Sequence, residues 1–152
     1  MMGTILKGRG LSGGVVEGEA VVTKQPFSIS AAFTIPLIQF ARRCKIADRT
    51  HELFKQDVTG KILVFPYAIG TTTMGFVLLE AIVRNISPKA IVCAQGEPLL
   101  SSGALCAEIF FDHPFPIVDQ IDLHELENIK TGTTIKVNGD LGTIEFQKSD
   151  AD

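Results

Sequence analysis

Apolar residues crowd into two short runs in the middle of the chain, KILVFP at 61–66 and KAIVCA at 89–94. Runs of this length with almost no polar interruption are the pattern of strands buried on both faces. The first stops at Pro66. Between the runs, Phe76, Val77, Leu79, Glu80, Ile82, Val83 and Arg84 fit a helix over 73–85 with one wide apolar face, and Ser87-Pro88 ends it. Strand, helix and strand at this spacing predict a right-handed, parallel βαβ unit.

The two ends of the chain follow a different rhythm. Residues 4–24 predict two strands around a glycine-rich turn, with Val15, Val16, Ala20, Val21 and Val22 as the apolar set and Gly13, Gly14 and Gly18 at a tight turn or bulge. Near the other end, TTIKV and TIEF flank Asn-Gly-Asp, a hairpin signal. Residues 25–59 are the least regular: the apolar stretch from Phe27 to Phe40 is broken by Pro26 and Pro36, predicting a long excursion with at most one short helix. A short helix over 96–109, a short strand over 115–118 and one or two helical turns over 123–129 complete the list. The expected architecture is α/β, one domain over 1–147 with a frayed tail over 148–152. A three-layer β/β/α stack, antiparallel strands wrapped around the parallel unit, is one compact solution.

Composition narrows the function. With 152 residues, 45% apolar and 20% charged, the chain is long enough for a full-sized core. A net charge of -3 without a basic stripe argues against nucleic acid. No apolar run approaches the ~20 residues of a membrane span, and MMGTILKGRG lacks the apolar core of a signal peptide, so a cytoplasmic chain is expected. Cys44, Cys93 and Cys106 match no zinc or iron–sulfur spacing; Cys93 and Cys106 read as core residues and Cys44 as a loop residue. His51, His113 and His124 are scattered, so no metal site is expected from this chain alone.

The strongest candidate chemistry is Gly70-Thr71-Thr72-Thr73, between the first buried strand and its helix. There, hydroxyls and free N–H groups meet the positive end of a helix and favour a negatively charged ligand group. The same residues also suit an ordinary helix N-cap. GTTTMG lacks the lysine and glycine spacing of a P-loop. Asp48, Arg49 and His51 lie close together in the excursion and suit an acidic substrate, a partner or a solvated loop. Arg9 and Lys24 suit either an anion anchor or a solvated surface, and Glu97-Pro98 marks a helix start. Ser12, Ser101 and Ser102 have no nucleophile elbow around them. The chain offers hydroxyls and anion anchors, without metal ligands or an obvious strong base.

Taken together, GRGLSGGVVEGEAVVTKQPFS, IADRTHELF, GKILVFPYAIGTTT, KAIV, GALCAEIFFDHPFPIVD and IKTGTTIKVNGDLGTIE resemble, in collinear order, the small subunit of the aconitase X family. The resemblance implies a swivelling β/β/α domain like the mobile fourth domain of aconitase. It also implies hydro-lyase activity on a small anionic substrate such as cis-3-hydroxy-L-proline or mevalonate 5-phosphate. The partner would be a large catalytic subunit holding an iron or iron–sulfur centre, with no cofactor bound by this chain. The family's Gly-Ser-Ser turn corresponds to Gly70-Thr71-Thr72, making Thr71, or Thr72 if the register shifts by one, the hydroxyl acid/base. Gly70 and Thr73 would bind substrate, with Arg9, Asp48, Arg49 and His51 at the rim or subunit contact. Asp48 and His51 match the family's Asp-x-x-His. Two departures stand out: threonines replace serines, and ISAAFTIPLIQFARRC replaces a Gly-Gly-x-Asp stretch. A non-catalytic interaction or regulatory module on the same fold is the rival reading. A phosphohistidine carrier domain would need His where this chain has Thr.

Overall fold

The computed structural model describes residues 3–147; the tail expected over 148–152 lies outside the described residues. Strands β1 (Thr4–Lys7), β2 (Arg9–Ser12), β3 (Val15–Val22), β4 (Ile62–Tyr67), β5 (Ala90–Gln95), β6 (Ile117–Asp119), β7 (Thr134–Asn138) and β8 (Thr143–Phe146) form one sheet in the order β1-β8-β7-β3-β4-β5-β6-β2. Helices α1 (Ile29–Ile38), α2 (Met74–Val83), α3 (Pro98–Phe111) and α4 (Leu123–Glu127) connect them.

The central strands β3, β4, β5 and β6 are mutually parallel, and β1, β2, β7 and β8 join antiparallel. Alternation decides the layers. Leu63, Phe65, Ile91 and Cys93 face a core shared with α1, α2 and α3, while Ile62, Val64, Ala90 and Val92 face a second core with Ile135, Val137, Ile144 and Phe146. The antiparallel strands therefore fold over the back of the parallel strands, giving the expected β/β/α stack. The two ends of the sheet nearly meet: the Gly8 N–H donates to the Gly142 carbonyl at 2.8 Å, and any Cβ on Gly10 would collide with the Gly139 carbonyl.

The parallel βαβ unit and the C-terminal hairpin form where the hydrophobic pattern puts them. Several details differ. Residues 4–24 make three strands, not two, because Gly8 breaks the first run as the chain passes from one sheet edge to the other. Strand β4 continues past Pro66 to Tyr67, and α3 reaches Phe111 after a proper start at Glu97, whose side chain accepts the Leu99 N–H.

The largest difference is the excursion. It carries a ten-residue helix, α1, straight through Pro36. Proline removes the donor that would bond the Ala32 carbonyl. Here the Ala47 N–H supplies that bond from outside, at 3.0 Å. At the far end of α1, Arg84 donates to the Leu37 carbonyl at 2.8 Å and lies over the Phe40 ring. The segment after α1 is equally tied down: Cys44, Ile46, Leu53 and Val58 are all core residues. Cys44 lies in a loop as expected but is buried there, and Cys106, expected in the core, is only half-buried.

Helices α2 and α3 touch backbone to backbone. A Cβ on Gly103 would sit 2.5 Å from the Gly75 carbonyl oxygen, and one on Gly75 would sit 2.8 Å from the Leu99 carbonyl. Among the described residues no helix is long and apolar enough to cross a membrane.

Gly103→Ala should force α2 and α3 apart and cost about 1–3 kcal/mol, as overpacking does; urea unfolding followed by circular dichroism measures it, and an unchanged midpoint contradicts the crossing. Burial pushes the Cys44 and Cys93 thiols up to about 12. A thiol reagent at pH 8 should therefore label Cys106 alone in the folded chain and all three after unfolding, as counted by mass spectrometry.

Candidate functional site

The C-terminal ends of parallel strands are where turns are free to face a ligand, and this chain gathers its chemistry there. Strand β4 leaves the sheet at Tyr67. Phe27 then runs parallel beside it, its N–H donating to the Tyr67 carbonyl and its carbonyl accepting from the Ile69 N–H at 2.8 Å. This pairing delivers α1 to the threonine turn. Ser28 caps α1 by accepting the Ala31 N–H, and Ser30, in the first turn, reaches across to the next helix. The Ser30 hydroxyl lies 2.6 Å from the Thr71 Oγ1 and 3.3 Å from the Thr73 Oγ1.

Thr73 occupies the N-cap position of α2, yet its side chain makes no capping bond. The Met74 N–H bonds weakly to the Thr71 carbonyl at 3.3 Å, and the Val77 N–H bonds to the Thr73 carbonyl. Among the described residues, the N–H groups of Thr72, Thr73, Gly75 and Phe76 have no acceptor. An uncapped N-terminus with exposed Thr72 and Thr73 is open to an anionic group. The start of α3 closes the other side: a Cβ on Gly70 would lie 3.8 Å from the Glu97 carboxylate. Three helix starts thus surround one turn, with Ser30, Thr71, Thr72, Thr73 and Glu97 facing it.

Arg9 stands at the same end of the sheet. Its guanidinium grips Asp119 with two bonds, Nε to Oδ1 at 3.0 Å and Nη2 to Oδ2 at 2.8 Å, and Oδ2 also accepts the Gly96 N–H at 3.1 Å. Asp119 is almost fully buried and Arg9 about half exposed. Hydrogen bonding to Asp119, reinforced by its charge, raises the Arg9 pKa further. Arg9 is thereby a fixed cation beside the β5–α3 turn.

Among the described residues no hydrogen bond joins Asp48, Arg49 or His51 to the threonine turn. Asp48 accepts both the N–H and the hydroxyl of Thr50, folding its own loop. Arg49 is exposed. His51 is buried edge-on against Phe27 with ring centroids 5.3 Å apart, and its Nδ1 accepts the Leu53 N–H. Its Nε2 is buried without a partner among the described residues. Lys24 lines a separate cavity of about 430 Å³ with Glu52, Glu127 and Lys130, on the α4 side of the sheet.

Ser30 and Asp119 carry much of the site and were not singled out from the sequence. Ser-x-Ser ahead of an apolar run is a helix-start signal, but Pro36 masks the helix behind it. Asp119 is a lone charge closing the apolar strand FPIVD, a position where a carboxylate needs a partner.

The family model described as the aconitase X swivel domain matches residues 5–146. The phosphomevalonate dehydratase small subunit of Methanocaldococcus jannaschii is 37% identical over 141 residues, covering 93% of this chain and 96% of that one. Its counterpart in Methanosarcina mazei is 32% identical, covering 93% and 90%. Among solved structures, the holo-form of Thermococcus kodakaraensis aconitase X superposes with a TM-score of 0.79 at 31% identity, covering 94% of this chain and 98% of that one. A 3-isopropylmalate dehydratase from Methanocaldococcus jannaschii, at 12% identity and a TM-score of 0.54, shares the fold.

Arg9→Met should lower the melting temperature, because it leaves a buried carboxylate with a single donor. Arg9→Lys should restore only part of the loss, since an ammonium cannot make the two-pronged contact. A thermal melt of the three proteins decides it, and equal melting temperatures contradict the pairing.

Proposed function

We propose, from the premise that this chain belongs to the aconitase X swivel-domain family, that it is the small subunit of a dehydratase acting on mevalonate 5-phosphate. The observation that carries the reading is the Thr71 hydroxyl set among uncapped α2 N–H groups, in a chain matched along nearly its whole length by dehydratase small subunits. Those relatives are named for phosphomevalonate, which favours that substrate over cis-3-hydroxy-L-proline.

Dehydration of a β-hydroxy acid removes a proton from the carbon beside the carboxylate and hydroxide from the next carbon. In this reading Thr71 Oγ1, once ionised, takes the proton. The free N–H groups of Thr72 and Thr73 hold a carboxylate or phosphate oxygen of the substrate, or stabilise the Thr71 oxygen as it gains charge. Thr72 takes the role of base if the register against the family's turn shifts by one. Gly70 keeps the turn open, and Arg9 adds a fixed positive charge to the same edge. Asp48 and Arg49 belong to the rim or subunit contact in this reading, and His51 supports that loop from below.

Among the described residues, no three His, Cys, Asp or Glu side chains come together to hold a metal. The described residues thus offer no ligand set for an iron or iron–sulfur centre, and the reading assigns that centre to a large subunit. A single domain over 1–147 then acts as the half that closes on the partner and excludes water. The cytoplasm is the compartment this reading assigns. The rival, a non-catalytic module, draws on the threonines at the turn and on the altered sequence of the 29–44 segment.

Co-expression with the large subunit encoded by the same organism should give a stoichiometric complex that dehydrates mevalonate 5-phosphate. Thr71→Ala should assemble and melt normally yet lose about 10²–10⁴-fold in kcat, the usual contribution of a positioned acid or base. A complex that forms but never turns over this substrate favours the non-catalytic module.

A further inference from the structure

We propose that Ser30 is a positioning residue for the Thr71 hydroxyl, a role that rests on the dehydratase reading above. Ser30 has no other visible task. Its own helix is already capped by Ser28, and the only partners of its hydroxyl among the described residues are Thr71, at 2.6 Å, and Thr73, at 3.3 Å. Alanine is at least as good as serine inside a helix, so α1 gains nothing from this hydroxyl for its own stability.

The chemistry gives the contact a direction. While Thr71 is neutral, either oxygen can donate. Once Thr71 has lost its proton it can only accept, so Ser30 must donate to it. A hydrogen bond to an ionised acceptor is stronger than one to a neutral acceptor. Ser30 therefore favours the ionised form of Thr71 over the neutral one as the proton moves. It also fixes the side chain: threonine has few χ1 choices, and the bond to Ser30 selects one of them. The threonine at this turn thus has a hydroxyl neighbour that α1 brings in.

The test compares wild type, Ser30→Ala, Ser30→Thr and Thr71→Ala as assembled enzymes with mevalonate 5-phosphate. Ser30→Ala should lose roughly ten- to a hundredfold in kcat, the range of one hydrogen bond to a charged group, with KM little changed. Because an aliphatic hydroxyl ionises well above the working pH range, the deficit should be a near-constant factor in kcat across the pH profile, with the shape of the profile unchanged. Ser30→Thr should recover most of the loss. A Ser30→Ala enzyme with wild-type kcat, beside an inactive Thr71→Ala, overturns the role of Ser30 and leaves the dehydratase reading intact. A Ser30→Ala chain that melts several degrees lower assigns the hydroxyl to packing and overturns the proposal. A fully active Thr71→Ala, or a wild-type complex without turnover, overturns the dehydratase reading and the role of Ser30 with it.

Discussion

Gly75 against Gly103 sets the spacing that the candidate site depends on. The two backbones approach so closely that a single methyl on either would strike a carbonyl oxygen. Gly75 lies in the first turn of α2, and the Leu99 carbonyl it faces lies in the first turn of α3. The crossing therefore brings the two helix starts together, and with them the threonine turn and Glu97. Glycine is tolerated here despite its cost in a helix because no other residue permits this distance. Small residues at the crossing and large ones beneath it, Leu78, Ile82 and Leu100, let the helices pack on the sheet.

The third helix start arrives by a different route. Helix α1 is built from a segment with a proline inside it and no polar face to announce it. Its stability comes from Phe33, Ala32 and Leu37 in the core, and from two outside donors that satisfy its loose carbonyls, the Ala47 N–H and Arg84. The strand-like pairing of Phe27 beside β4 then fixes where α1 begins, so that Ser30 meets Thr71. The excursion is thus part of the core, with its functional contribution at one end. His51, packed on Phe27 from behind, shows the same economy: a residue that looks chemical in the sequence serves the packing that holds the first helix in place.

The site has an incomplete chemical inventory of its own. It offers donors, hydroxyls and a fixed arginine, a set suited to binding an anion and exchanging one proton. The dehydration proposed above also calls for an acid to expel hydroxide, and beside this turn the described carboxylates already have partners: Glu97 Oε2 caps α3, and Asp119 is held by Arg9 and Gly96. That division of labour fits a domain that completes its chemistry only when another subunit closes against it.

The sequence alone determined the parts governed by local rules. The buried runs at β4 and β5, the helix between them, the Asn-Gly-Asp hairpin and the helix start at Glu97 all follow from periodicity and turn chemistry, which act over a few residues. The threonine turn was legible for the same reason, since a strand end, a glycine and hydroxyls before a helix are neighbours in the chain. The tertiary structure decided what depends on distant partners. Ser30 and Thr71 are 41 residues apart, and Arg9 and Asp119 are 110 apart; no local pattern records such pairings. Pro36 argued against a helix until Ala47 was seen to supply the missing donor. The burial of Cys44 and His51 was likewise set by the sheet and helices folding around them, because burial belongs to the assembled core and not to any stretch of sequence.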